Sequence, residues 1–248
     1  MVRHHFWHVL VVAFGLIVLV APSASAGPGT AGPNIKVSGA SPFATCTADA
    51  GQTGTNFLNS EVEPSIAVSA VDRSGDGVPD RIGAYQQDRW DNGGARGIVA
   101  SVFQAGAWHQ VVIPGVSTCS GGTFHRGTDP WVTIAPNGDA YVQTLTFQDF
   151  PTFSTSIIYV NKSTDGGLTW GPPTQLVRND SLFQFNDKNS ITADPLNSNF
   201  VYAIWDRSRF PSDKREGHSI SGFVRSLRSD AIFTRTTNGG ATWEPARA

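Results

Sequence analysis

The sequence has one methionine, two cysteines and four tyrosines in 248 residues, and only 15% of it is charged. Lysines and arginines never gather into a block, and the net charge is −2. That composition argues against nucleic-acid binding, because neutralising a phosphate backbone needs clustered cations. Long amphipathic helical stretches are missing from residue 27 onward, so no helical bundle is expected. What the chain does have is 26 glycines and 15 prolines. They suit many short strands joined by tight turns.

One long apolar run stands at the N-terminus. Arg3, His4 and His5 precede an apolar stretch from Phe6 to Val20, and Ala24-Ser25-Ala26 follows it. The run is shorter than the roughly 20 residues a membrane span needs, and a small-x-small cleavage pattern comes directly after it. Residues 1–26 therefore read as a secretory signal peptide cleaved near Ala26-Gly27. The product is expected to be secreted, with no stable membrane anchor. In a secreted chain the two cysteines, Cys46 and Cys119, predict a disulfide. It would tie the N-terminal segment to the far end of the first repeat, and loop-closure entropy puts its contribution at about 4 kcal/mol.

A short turn motif occurs twice. The first copy is Ser163-Thr164-Asp165-Gly166-Gly167-Leu168-Thr169-Trp170, and the second is Thr236-Thr237-Asn238-Gly239-Gly240-Ala241-Thr242-Trp243. Trp170 and Trp243 are 73 residues apart. A motif recurring on that scale marks a repeat architecture. Three units align around it. Their openers are Glu63-Pro64, Asp129-Pro130 and Asp187-Lys188, and each opener is followed by two further strand-like runs. In the first unit Gln104-Ala105-Gly106-Ala107-Trp108 keeps the tryptophan and lacks the polar turn residues. Segments after the turns, such as 110–113 and 174–177, supply a fourth strand. Four antiparallel strands make one propeller blade.

The repeated turn resembles the Asp-box of the sialidase superfamily, whose members are β-propellers. The resemblance implies an all-β fold, six-bladed in full-length relatives, of which this chain holds about three four-stranded blades. The blades are expected over 61–118, 127–180 and 185–248, the last one incomplete, after an irregular lead-in at 27–60 with one strand at Ile35-Lys36-Val37. The box residues Ser163, Asp165, Gly167, Thr169 and Trp170, with Thr236, Asn238, Gly240, Thr242 and Trp243, are expected to be structural. Glycine pairs permit positive φ, and short polar side chains bond the turn's own amides.

Chemistry is expected elsewhere, where the openers and the ends of the second strands ring a common pocket. Glu61, Glu63, Asp129 and Asp187 are openers, Gln87-Asp88-Arg89 and Trp205-Asp206-Arg207 are strand ends, and His125-Arg126 lies beside Asp129. Glu63, Asp88, Arg126, Asp129, Asp187, Asp206 and Arg207 are thus candidates for binding a carbohydrate or glycoconjugate. The resemblance implies further that Arg89 is a pocket arginine and Asp91 a proton-donating carboxylate. The family's Arg-Ile-Pro motif is absent, and Val62-Glu63-Pro64 stands in its place. The expected function is a secreted sialidase-like glycoside hydrolase relative whose catalytic half is missing from this chain. The alternative is a non-catalytic propeller module that binds glycan or protein. No cofactor is required, although Asp72, Asp76 and Asp80 are spaced like part of a calcium loop and suggest a structural calcium.

Overall fold

The computed structural model describes residues 32–148, 154–210 and 228–248. The signal segment 1–26, its cleavage site and most of the loop 206–229 lie outside the described residues. The chain divides after Lys36 into two units. Of the first unit, residues 32–36 are described, and they have no regular secondary structure. The strand expected at Ile35-Lys36-Val37 does not form. Ile35 is 71% exposed.

The second unit is a partial β-propeller. Its first blade comprises β1 (Asn56–Val68), β2 (Arg81–Trp90), β3 (Ala95–Gln104) and β4 (Ala107–Val112). The second comprises β5 (Arg126–Ile134), β6 (Ala140–Gln148), β7 (Thr155–Ser163) and β8 (Thr174–Asp180). The third comprises β9 (Gln184–Ala193), β10 (Val201–Arg209) and β11 (Arg228–Thr236). Successive strands within each blade pair antiparallel. In the third blade a single bridge from Phe233 to Arg247 stands at the outer edge, where the other blades have a fourth strand. β1 starts at Asn56, inside the stretch whose composition reads as irregular.

Alternation along the strands explains the stacking. In β6, Ala140 and Val142 face the first blade, where they join Ile82, Ala84, Ile98, Val102 and Ile113. Tyr141 and Leu145 face the other way and join Ile191, Val201, Ala203, Trp205 and Ile232 of the third blade. A strand with apolar residues on both faces must be covered on both, and β6 is buried almost throughout.

Each Gly-Gly turn is seated on the preceding blade. In the first copy Ser163 Oγ accepts the Gly167 amide at 2.8 Å, and Asp165 Oδ1 accepts the Thr169 amide at 2.9 Å. In the second, Thr236 Oγ1 accepts the Gly240 amide and Asn238 Oδ1 the Thr242 amide, both at 2.9 Å. Burial works against the Asp165 charge, but hydrogen bonds from Thr169 and Ser163 hold its carboxyl below the usual range. Gly167 has φ 98°, and a Cβ there would lie 2.7 Å from Ile82 Cδ1. Gly240 has φ 85°, and a Cβ there would lie 3.0 Å from the Tyr141 ring. Trp170 and Trp243 pack at the edges of the same two interblade cores.

The lead-in closes the far face of the first blade. Phe43 packs with Tyr85 and Val99, and the half-cystines Cys46 and Cys119 lie against them. These cysteines form the expected disulfide, with Cα atoms 5.7 Å apart. Arg96 reaches Asp49 at 2.8 Å across the same contact.

Two glycines separate backbone strain from packing. Gly106→Ala, at φ 74° with open space around it, should cost about 1 kcal/mol. Gly167→Ala adds a clash with Ile82 and should cost about 3 kcal/mol. Urea denaturation of the two variants measures the difference, and equal losses would remove the interblade seat from the account.

Candidate functional site

The first strands of the three blades lie side by side, and each carries a bulge at the same place. Register slips between Val62 and Ser65 in β1, between Thr128 and Trp131 in β5, and opposite Trp205 in β9. The leading bulge residue has positive φ in every case: Glu63 at 53°, Asp129 at 49° and Lys188 at 52°. Side chains with a Cβ rarely adopt that conformation, and bulges re-aim the residue they carry. Glu63, Asp129 and Lys188 are therefore equivalent positions. This corrects the register read from sequence, which matched Asp187 to Asp129. Asp187 stands one residue earlier, at the position of Val62 and Thr128.

The second strands shift likewise. Gln86 pairs with Val62 and Asp206 pairs with Asp187, so Asp206 corresponds to Gln86 and not to Asp88.

These positions gather into one polar cluster. Buried Gln86 donates to the Glu63 carboxylate and to Thr128 Oγ1, the latter at 2.9 Å, while its Oε1 accepts from Arg89 at 2.9 Å. Thr128 Oγ1 donates to Asp129 Oδ1 at 2.8 Å. Asp129 Oδ2 is buried with no fixed donor. The carboxyl groups of Glu63 and Asp187 flank Asp129 within hydrogen-bonding reach. Asn189, itself buried, holds the bulge by donating to the Asp129 carbonyl at 2.8 Å.

The three acids titrate apart. Burial of its carboxyl end and the neighbouring Asp129 push Glu63 up to about 7, against the pull of Arg89 and Lys188. Burial and Asp129 push Asp187 to about 6. Burial also opposes the Asp129 charge, but hydrogen bonds from Glu63 and Thr128 and the Lys188 charge outweigh it, and its carboxyl is held below the usual range. The charges of Asp187 and Asp129 in turn raise Lys188, with smaller contributions from Glu63 and Asp206. At neutral pH the cluster therefore holds a protonatable carboxyl against an ionised carboxylate, the split that assigns acid and base roles.

The other sequence candidates fall elsewhere. Asp88 is fully buried and bonds structural partners, accepting from Ser41 Oγ at 2.6 Å and from the Asn59 amide at 2.8 Å. Arg126 is also fully buried. It reaches Gln52 Oε1, Asn92 Oδ1 and the Thr53 carbonyl, and its guanidinium lies 4.3 Å from the Trp90 ring centroid. Its reach is consumed by the lead-in and the β2–β3 turn. Asp91 is exposed and accepts the Thr55 amide at 2.9 Å, which pins the same turn. Arg207 alternates away from Asp206, and burial together with Arg209 lowers its pKa. Glu61 accepts from Ser38 Oγ at 2.7 Å and pairs with Gln87, outside the cluster.

The calcium loop does not assemble its acids. Asp72 spends both oxygens on its own loop, accepting the Gly75 and Gly77 amides at 2.7 Å each, and Asp76 accepts the Val78 amide. Asp80 is buried and accepts from Gln104 Nε2 at 3.1 Å. Among the described residues the one grouping of three ligand-type side chains within 4.8 Å is Cys46, Asp49 and Cys119, whose sulfurs are the disulfide. The three aspartates do not fit a calcium cage in this geometry.

Sequence reasoning missed Lys188, Gln86 and Thr128. The Glu63-Pro64 and Asp129-Pro130 pairs mark the bulge in two blades. Lys188-Asn189 has no proline to signal it, so only the register of β9 against β10 reveals the equivalence.

No protein-family model and no curated protein sequence matches the chain. Among solved structures it is similar to a Hadza microbial sialidase, at 15% identity and a TM-score of 0.50, over 74% of this chain and 36% of that one. It also matches a Penicillium chrysogenum alpha-L-arabinanase complexed with arabinobiose, at 10% identity and a TM-score of 0.45, over 73% of this chain and 48% of the other. A third match is the GH93 alpha-L-arabinofuranosidase of Fusarium graminearum with arabinobiose, at 11% identity and a TM-score of 0.48, over 75% and 47%. The chain thus spans between about a third and a half of each of these structures. The likeness to the sialidase is one of fold.

The assignment of Asp88 as an anchor is testable. Asp88→Ala strands the Ser41 hydroxyl and the Asn59 amide and should cost about 2–3 kcal/mol. Urea titration measures the loss, while the Glu63 carboxyl resonance should titrate as before. A shifted Glu63 titration would return Asp88 to the site.

Proposed function

We propose that the chain forms part of a carbohydrate-processing pocket of the glycoside hydrolase type. The observation that carries this reading is the meeting of Glu63, Asp129 and Asp187 from three successive blades, with their affinities for protons pushed apart. Glu63 is the candidate general acid, since a carboxyl kept protonated near neutral pH can protonate a leaving oxygen. Asp129 is the ionised partner, which would take a proton from the attacking water while Glu63 gives its own to the leaving oxygen. Arg89, held through Gln86, and Lys188 offer donors to sugar hydroxyls.

The substrate is a neutral sugar in preference to sialic acid. Val62 stands where the sialidase resemblance would place an arginine, and an anionic substrate would meet Glu63, Asp129, Asp187 and Asp206 against two cations, Arg89 and Lys188.

A second reading, a non-catalytic glycan-binding module, has its own observation in favour. Acids that flank a glycosidic bond stand roughly 5–9.5 Å apart, whereas Glu63 and Asp129 lie within hydrogen-bonding reach. An extracellular setting is part of the proposal. The Cys46–Cys119 bond supports it, because disulfides persist in oxidising compartments.

Calorimetry of the chain with neutral and sialylated oligosaccharides tests the reading. Neutral ligands should bind, Asp129→Asn should weaken them about tenfold, and sialylated ones should bind no better. A preference for sialylated ligands would overturn the assignment. The chain alone should show no turnover on either class, and turnover would place a complete site within these three blades.

The raised pKa of Glu63 has a stability consequence. Between its ordinary value of 4.5 and about 7 the native state holds a proton that the unfolded chain has lost, so stability falls as pH rises through that window. Glu63→Gln should flatten this slope, as read from urea midpoints at pH 4.5 and pH 7.5. An unchanged slope would show that Glu63 ionises normally.

A further inference from the structure

Glu63 belongs to the acid cluster, but its neighbours on β1 border something else. Val62 and Pro64, with Val37, Ser38, Glu61 and Tyr85, line a separate cavity of about 240 Å³ where the lead-in meets the first blade. That volume is well beyond the roughly 30 Å³ that one water takes in the liquid. The walls are mostly apolar, and no lysine, arginine or histidine is among the lining residues. None of Glu63, Asp129 and Asp187 lines it either, so this cavity is independent of the acid cluster.

The carboxylate in this cavity is poorly compensated. Glu61 Oε2 accepts from Ser38 Oγ at 2.7 Å, and Glu61 Oε1 is buried with no donor. The nearby hydroxyls cannot supply one. Ser101 Oγ donates to the Val37 carbonyl at 2.9 Å, so the Tyr85 hydroxyl gives its proton to Ser101 Oγ, 3.0 Å away. Burial raises the Tyr85 pKa, with a smaller contribution from the Glu61 charge, so that hydroxyl stays neutral. Gln87 pairs with Glu61 and is fully buried. Its Nε2 donates to Asp88 Oδ1 at 3.1 Å, while its Oε1 has no donor. Two paired positions thus present acceptors that no protein donor fills. An ionised carboxylate among apolar walls is costly unless a cation meets it.

We propose that the cavity binds a protonated primary amine carried on a short aliphatic stem. The ammonium brings three donors and a positive charge to Glu61. The stem lies along Val37, Val62 and Pro64, where a bare inorganic cation would leave the apolar walls unused. A metal ion fits less well. Calcium takes roughly six to eight oxygen ligands, and one carboxylate among apolar side chains does not supply them. An anion is disfavoured by the Glu61 charge and by the lack of any cationic lining residue.

The test follows ring-labelled tyrosines of the full chain by NMR. There are four of them, and Tyr85→Phe assigns the Tyr85 signal. n-Butylamine should shift that signal with a Kd on the order of 1 mM. n-Butanol, of the same length but uncharged, should bind at least about tenfold more weakly. Glu61→Gln should weaken butylamine about tenfold. Ser38→Leu lies in a segment with no strand pairing. It fills the cavity and should abolish the shift, and it serves as the deciding variant if Glu61→Gln does not fold. Nα-acetyl-lysinamide separates the two sources of the amine. Binding at least as tight as that of butylamine makes a lysine side chain the ligand, and weaker binding makes it a free amine. Equal binding of butanol and butylamine, an unmoved Tyr85 signal, or a butylamine affinity unchanged by either substitution overturns the proposal.

Discussion

Sheets that are apolar on both faces cannot stand alone, and the rest of this molecule depends on that constraint. β6 sends Ala140 and Val142 one way and Tyr141 and Leu145 the other, so the second blade is stable only between neighbours. The glycine-pair turns fix how closely those neighbours approach, because each turn lies directly on a side chain of the blade before it. Spacing between blades is thereby set by steric contact at two points, and the inner strands are held side by side.

That spacing creates the site. Bulges at equivalent places in β1, β5 and β9 aim Glu63, Asp129 and Lys188 at one region, and the backbone strain of positive φ is tolerated because the interblade cores hold the strands in place. Burial then does the electrostatic work. Three acids close together cannot all ionise at their ordinary pH, so Glu63, and less strongly Asp187, hold their protons to higher pH while Asp129 stays charged beside a charged Lys188. The cluster's electrostatics are a consequence of blade stacking more than of any single motif.

The sequence made the fold legible because its signals are local. Glycine pairs, tryptophans at turn ends and period-two alternation each report on a few neighbouring residues, and together they point to an all-β fold of antiparallel sheets. The cysteine pair was legible for another reason, since two cysteines allow only one intrachain bond. Ile35-Lys36-Val37 failed because two β-branched residues around a lysine say nothing about whether a partner strand is present. The site was only half legible. Glu63, Asp129, Asp187 and Asp206 were found from their places as openers and strand ends, but Asp88 and Arg126 look identical in sequence and are spent on anchoring the lead-in. Whether a charge faces a pocket or a loop depends on register, and register depends on bulges that Lys188-Asn189 does not announce.

The span of the disulfide has a consequence for how the molecule is made. Cys46 and Cys119 enclose β1 through β4 completely and include no residue of β5. The bond therefore needs only the first blade and its lead-in to be in place. In a chain that emerges from its N-terminus, the first blade can be covalently tied to its lead-in before the second exists, leaving the Ile82, Ile98 and Val102 face for the second blade to cover. Assembly then has a direction, starting from a fixed base on which each later blade is laid by its own glycine turn.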